Sequence, residues 1–448
     1  LVRWSAVVVA ASSAGLCGAG CGRGTVTVTV DGDRAVPTEL DAICLGIADR
    51  DLAGGAFGRS YRLVDRLAGL PQTLAVEGGG ADRALAWVRG SRGGVVVATA
   101  TAALDFADDV TLRLDRCGPG RAGAIVEGPR AATPGSRLAL SMGQGGTVAV
   151  ALDGSTGAIV DVQAGALTIA PLEGGGGDAV VAFDADGDCD DDLAIARGGE
   201  VVILLRDGRG FVAGPRLATG ATALASADVD YDGDVDLIVA QGAQVTLWRN
   251  AGNGTFAADG GAIDTRGQVS AASALAAGDL DGDGHADLIV AQAGAPIRAL
   301  LGDPSGAGAF TDAPAVFPPV ALDVVAIAVA DVDGDLDLDA IVVPRADAVR
   351  VYVNRGGLLE DQSFARLPEP APRGRGVAIA DWDGDCRPDA VIAGSATVAL
   401  AGGADGVLTA ASALGDADAD AAVLGDLDDD GAPDLLIGGA TDVRWVHR

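Results

Sequence analysis

The chain has 448 residues, more than one ordinary core encloses, so two domains or one large repeat array are expected. Acidic residues outnumber basic ones by 63 to 31, and the resulting net charge of −32 argues against nucleic acid or an anionic membrane surface as partner. Hydrophobic residues make up 49%, yet there are 68 glycines and only 4% aromatics, which predicts short strands, tight turns and a core of small side chains, with few long helices.

Arg3, the apolar run Trp4 to Ala11 and the small residues that follow read as a signal peptide over 1–21, too short to span a membrane. The string Leu16-Cys-Gly-Ala-Gly-Cys21 resembles a bacterial lipobox, although Gly18 stands where Leu is usual. Lipidation at Cys21 of an exported surface lipoprotein is the first expectation and simple secretion the second; that lipid would be the chain's one tie to a membrane.

Residues 22–118 form the next expected domain. Thr25 to Val30 alternates apolar and polar residues with a period of two, the pattern of a half-buried strand. Further strand candidates at 42–47, 72–76, 84–90, 95–99 and 110–114 are separated by Gly, Pro and Asp clusters, the spacing of a small β-sandwich. The Gly54-Gly-Ala-Phe-Gly58 segment reads as a plain turn, since neither a Lys nor a G-x-G-x-x-G pattern supports a phosphate site. Cys44 and Cys117 fall near the two ends of this domain and are candidates for a disulfide.

From 119 to 448 the chain is periodic. Asp-rich loops begin at Asp184, Asp228, Asp279, Asp331, Asp381 and Asp426, at spacings of 44, 51, 52, 50 and 45 residues, a period that signals the repeated sheets of a propeller. Each unit has an inner strand of small residues such as Ala326 to Ala330, then the loop, then an apolar strand such as Leu237 to Ala240, an alternating third strand and an outer fourth. A seventh unit at 137–176 keeps the four strands but has the turn Met142 to Gly146 in place of the Asp loop. The last unit ends one strand short. Ile125 to Thr133 resembles Phe211 to Thr219, an outer strand, and is expected to close the ring against the final blade.

In the stretch Gly278 to Ala291, carboxylates at alternate positions surround Gly284 ahead of an apolar strand, the arrangement of a calcium loop in which a hard cation offsets like charges. Six such loops in register resemble the FG-GAP/VCBS-repeat propellers, the group that includes the integrin α-subunit head. That resemblance implies an all-β, seven-bladed propeller preceded by the small β-sandwich. It implies calcium held by side chains at loop positions one, three, five and nine, with a carbonyl at seven and position nine bidentate.

Carried onto this sequence, the ligands are Asp184, Asp186, Asp188 and Asp192; Asp228, Asp230, Asp232 and Asp236; Asp279, Asp281, Asp283 and Asp287; Asp331, Asp333, Asp335 and Asp339; Asp381, Asp383, Asp385 and Asp389; and Asp426, Asp428, Asp430 and Asp434. Up to six ions are expected, offsetting about 12 charges. Cys189, Leu336 and Cys386 replace glycine at position six, where a left-handed residue costs ~1 kcal/mol or more; Gly187, Gly334 and Gly384, two places earlier, are expected to relax the bend. Cys189 and Cys386 lie on opposite sides of such a ring and are expected to be unpaired.

Catalytic candidates are thin. His285 sits at position seven and His447 at the end, so neither has a partner for acid–base work, and the aspartates belong to the loops rather than to a glycosidase pair. No enzymatic activity is expected. The function implied is a monomeric, calcium-stabilised, extracytoplasmic scaffold for protein interaction or adhesion at the cell surface. The alternative is a lectin, with Trp248 and Tyr352 on third strands as candidate stacking rings although core packing suits them better; a polysaccharide-active enzyme is the remoter reading.

Overall fold

The computed structural model describes residues 25–31, 42–48, 58–62, 72–77, 83–92, 95–105, 110–113 and 126–447, the last with breaks at 144–145, 164, 218, 264–269, 304–307, 386, 415–417, 429 and 431. The predicted signal peptide and lipobox, Cys21, Cys117, Cys386 and the side chain of Cys44 lie outside the described residues.

The alternation read in the N-terminal region forms strands. Gln72–Glu77, Thr25–Asp31 and Val110–Arg113 make one sheet, in which the last two pair in parallel. Gly58–Arg62, Ala42–Ala48, Arg83–Arg92 and Val95–Asp105 make another. Buried Val28 and Val30, Ile43 and Leu45, and Ala86 and Val88 recur at every second residue, so these strands each turn one face inward. The strand at Gly58–Arg62 was not anticipated: Arg, Ser, Tyr and Arg give it no apolar alternation.

Beyond residue 126 the strands form seven four-stranded antiparallel sheets. In five of the first six blades, four strands consecutive along the chain lie side by side from the axis outward, as in Ala179–Phe183, Asp192–Arg197, Glu200–Asp207 and Gly210–Leu217; in blade four the short strand Ala295–Pro296 intervenes in sequence. First strands of successive blades touch around the ring, and that of the last blade, Ala421–Gly425, meets that of the first, Arg137–Gly143. Crowding at the axis explains their small residues: a Cβ on Gly425 would stand 2.5 Å from Leu140 Cδ1 of the neighbouring blade. Second strands are buried on both faces, and the apolar cores lie between blades, as where Leu193 and Ile195 pack with Val148, Val150 and Leu152.

The ring closes as expected. Val126–Ala131 pairs antiparallel with Val443–His447 as the outer strand of the seventh blade, with Val443 opposite Ala131 and His447 opposite Val126. The first blade, 137–171, has its four strands and no Asp loop. Departures from the repeat are insertions. A two-stranded ladder of Ala295–Pro296 with Ala321–Leu322 leaves blade four, and a short helix, Ser363–Arg366, follows blade five. No helix among the described residues is long and apolar enough to cross a membrane.

Candidate metal loops

Each Asp loop joins the first strand of a blade to the second, so all six fall on one rim, and one hydrogen-bond pattern builds them. Position one takes the amide of position four on one oxygen and that of position six on the other. Asp279 thus accepts Gly282 N–H at 2.8 Å and Gly284 N–H at 3.0 Å, and Asp184, Asp228 and Asp331 repeat this. In four loops position three takes the amide of position five: Asp281 from Asp283, Asp186 from Asp188, Asp383 from Asp385 and Asp428 from Asp430. Position five takes that of position seven in every loop, through Asp188, Asp232, Asp283, Asp335, Asp385 and Asp430. The chain is therefore wound around its own carboxylates, which brings their outer oxygens together.

Position nine does more than the sequence suggested. Asp192, Asp236, Asp287, Asp339, Asp389 and Asp434 are at most 3% exposed. One oxygen of each accepts the position-two amide, from Ala185, Val229, Leu280, Val332, Trp382 and Leu427. In five blades the other oxygen accepts an amide at the end of the third strand, from Arg206, Asn250, Gly302, Asn354 and Gly402. The aspartate thus staples loop to sheet. Position two is the apolar plug of the loop, buried in all six. Its apolar character in every repeat was the available signal.

Positions four and six are both left-handed. Gly187, Gly282, Gly334 and Gly384 have φ between 76° and 79°, and Tyr231 takes this conformation at 63°. At position six Gly233 and Gly284 are joined by Cys189 at 71° and Leu336 at 75°, so glycine at position four serves its own bend and relieves nothing at position six. Cys189, expected to be unpaired, is disulfide-bonded, to a cysteine whose side chain is outside the described residues. The expectation that it is unpaired rested on its distance from Cys386 across the ring, and paired state cannot be read from spacing in a folded ring.

The donor chemistry fits a hard cation. Carboxylate oxygens of Asp184, Asp186 and Asp192 lie within 4.8 Å of one another, as do those of Asp228, Asp230 and Asp236, of Asp279, Asp281 and Asp287, of Asp331, Asp333 and Asp339, and of Asp381, Asp383 and Asp385. Buried Oδ1 atoms of Asp230 and Asp333, both at position three, have no hydrogen-bond partner, and each of these carboxylates is held through its other oxygen by arginine: Asp230 by Arg249, Asp333 by Arg355 and Arg366. An inward oxygen without a donor is what a cation would complete.

Without an ion, charge is expensive there. Burial, with neighbouring aspartates adding to it, pushes Asp192 and Asp434 up to about 8 and Asp236, Asp287 and Asp339 up to about 7. Burial raises Asp389 as well. At position one, Asp228 rises to about 7 for the same reason.

Neighbouring blades cover the loops. Asn250 Nδ2 donates to Ala185 O of the preceding blade's loop at 2.9 Å, and Asn354 Nδ2 to Leu280 O at 2.7 Å. Tyr231 accepts Ala286 N–H at 2.6 Å and packs edge-on to His285, with ring centroids 4.2 Å apart. His285 is thereby committed to a contact between loops. Tyr352, 2% exposed, belongs to the core, and Trp248 is partly buried against the core cluster around Leu237.

Seven sheets in a closed ring, with acidic nine-residue loops repeated on one rim, define a β-propeller built from acidic-loop repeats. Residues 228–290, 279–342 and 331–392 each match the FG-GAP-like repeat, and the chain carries an FG-GAP β-propeller. Among solved structures it is similar to an Agrocybe aegerita lectin described for its specific recognition of non-reducing terminal N-acetylglucosamine, at 18% identity and a TM-score of 0.45, over 92% of this chain and 96% of that one. It is also similar to BBS1N from a complex with ARL6DN, at 14% identity and a TM-score of 0.39, over 58% and 76%. No curated protein matches the sequence.

Proposed function

We propose that the propeller is a calcium-stabilised scaffold that binds a protein or glycan partner outside the cytoplasm, without catalysis. The observation that carries the calcium reading is the set of inward position-three oxygens, Asp230 Oδ1 and Asp333 Oδ1, buried and without a donor inside clusters of oxygen ligands. Calcium suits such sites because it accepts six to eight oxygens in flexible geometry, whereas magnesium demands a tighter octahedron and retains its waters. The residues that would hold it are those at positions one, three, five and nine of each loop; bound there, it balances carboxylates that burial otherwise drives toward protonation.

A scaffold role follows from how the aspartates are spent. The loop aspartates accept backbone amides, face one another or pair with arginines, which supports a structural use for them. Binding at the cell surface is the reading that fits a ring whose outer strands, such as Ala166–Pro171, present exposed side chains. A protein partner is favoured over a sugar, since the two rings considered for stacking, Tyr352 and Trp248, pack against the core. A pull-down from cell-surface proteins run beside a glycan array, both with and without EDTA, tests this. Retention of a protein partner and silence on the array is the expected result; strong glycan binding by the native chain overturns it.

A further inference from the structure

The first blade has no Asp loop, yet a side chain from the next blade bonds both the end of its first strand and the start of its second. The residue ending a third strand, whose amide bonds position nine of its own loop, points its side chain at the preceding blade: Asn250 and Asn354 reach the position-two carbonyls there. In blade two that residue is Arg206, and the preceding blade is the first. Its guanidinium, in a residue only 6% exposed, donates from Nη1 to the carbonyl and the hydroxyl of Ser141 and from Nη2 to Gly146 O at 2.6 Å, so it ties together the two ends of the turn. Nε donates to Gly208 O at 2.8 Å.

The loop of blade two is fastened onto the same strand. Asp191 N–H donates to Met142 O at 2.7 Å, Met142 N–H donates to Asp191 Oδ2 at 3.0 Å, and Ser141 Oγ donates to Asp191 O. A Cβ on Gly143 would lie 2.9 Å from Asp190 Cγ and 3.0 Å from Arg206 Nε, so this glycine lets carboxylate and guanidinium close over the strand end.

We propose that Arg206 is the first blade's built-in cation: a guanidinium held between its first and second strands does for this blade what a metal ion does for the other six. A fixed positive charge with five directed donors can gather carbonyls at that position with no aspartate in the first blade's own turn, and without exchange with solvent. The first blade's own turn is therefore metal-independent, although its edge is fastened to the loop of blade two. The proposal rests on the calcium reading only for the behaviour of the other blades.

Hydrogen exchange followed by mass spectrometry on the full chain, in calcium and in EDTA, tests it. In the native protein, amides of 137–152 keep their protection in EDTA while those of 236–241 and 287–292 lose it. Arg206→Asn, which installs the residue of blades three and five, speeds exchange over 137–152 by about tenfold or more in both media, the loss expected when buried charged hydrogen bonds are removed. The proposal is overturned if EDTA exposes 137–152 as fully as 287–292, a comparison that needs no variant, or if Arg206→Asn leaves 137–152 unchanged. EDTA without effect on any blade contradicts the calcium reading instead, and the Arg206→Asn comparison still decides the role of the guanidinium.

Discussion

Asp287 and Asp281 belong to the same loop, and the structure assigns them unequal work. Asp287 is 1% exposed and accepts Leu280 N–H at 2.7 Å and Gly302 N–H at 2.8 Å, so Asp287→Ala leaves two interior amides without acceptors. At ~1–3 kcal/mol each, that is roughly 2–6 kcal/mol before any metal is considered. Removing a buried carboxylate held up at about 7 returns part of this, which leaves a net cost on the order of 2 kcal/mol. Asp281 is exposed and accepts the Asp283 amide at 3.1 Å, so Asp281→Ala in metal-free protein also relieves like-charge repulsion and stays within about 0.5 kcal/mol of the parent. In calcium at ten times its dissociation constant, each variant loses a further ~1.4 kcal/mol with its ion. Thermal melting of parent and both variants, in EDTA and in millimolar calcium, separates the two contributions. Equal midpoints for the two variants in EDTA would refute the reasoning that position nine staples the loop to the sheet.

The pH dependence should reverse with metal. In metal-free protein burial holds the carboxyls of Asp192, Asp236, Asp287, Asp339 and Asp434 up at about 7 to 8 when folded, well above their unfolded value near 3.8, so between these limits the native state binds more protons than the unfolded one. Stability in EDTA therefore falls as pH rises from 5 to 8, whereas calcium, by binding the ionised form, raises it; a metal-free midpoint that is higher at pH 8 contradicts the burial argument. Closure of the ring is tested by Gly128→Val, whose side chain begins 2.7 Å from Trp445 Cε3 and 3.0 Å from Trp445 O. It should cost about 1–3 kcal/mol, and a chain beginning at Arg137 should aggregate, both read by melting and light scattering against the parent. Cys189→Ser should abolish one disulfide in a peptide map, whose parent digest identifies the partner cysteine; a free Cys189 thiol in the parent contradicts the assignment.

Much of this architecture is legible in the sequence because each repeat carries the same local chemistry. Small residues at Ala326 to Ala330, the Asp spacing and the apolar run at 237–240 mark the first strand, the turn and the second strand before any packing is known. The closing strand at Val126–Ala131 could be found because it resembles an outer strand, Gly210–Leu217, and because the last unit lacks one. What escaped depends on neighbours in space. Arg206 looks like an ordinary strand-end arginine until the preceding blade is set beside it, and nothing local shows that Asp287 holds Gly302. Gly58–Arg62 lacks alternation, and the partner of Cys189 is a matter of tertiary distance.

If the six Asp loops hold calcium, the ring depends on it. Metal content by native mass spectrometry, on chelator-treated protein returned to calcium, tests this most directly when melting is followed on the same samples. The account predicts up to six calcium ions per chain and a midpoint that rises as they bind, with one site at ten times its dissociation constant contributing about 1.4 kcal/mol. A chain that takes up no calcium and melts at the same temperature in calcium and in EDTA would contradict it.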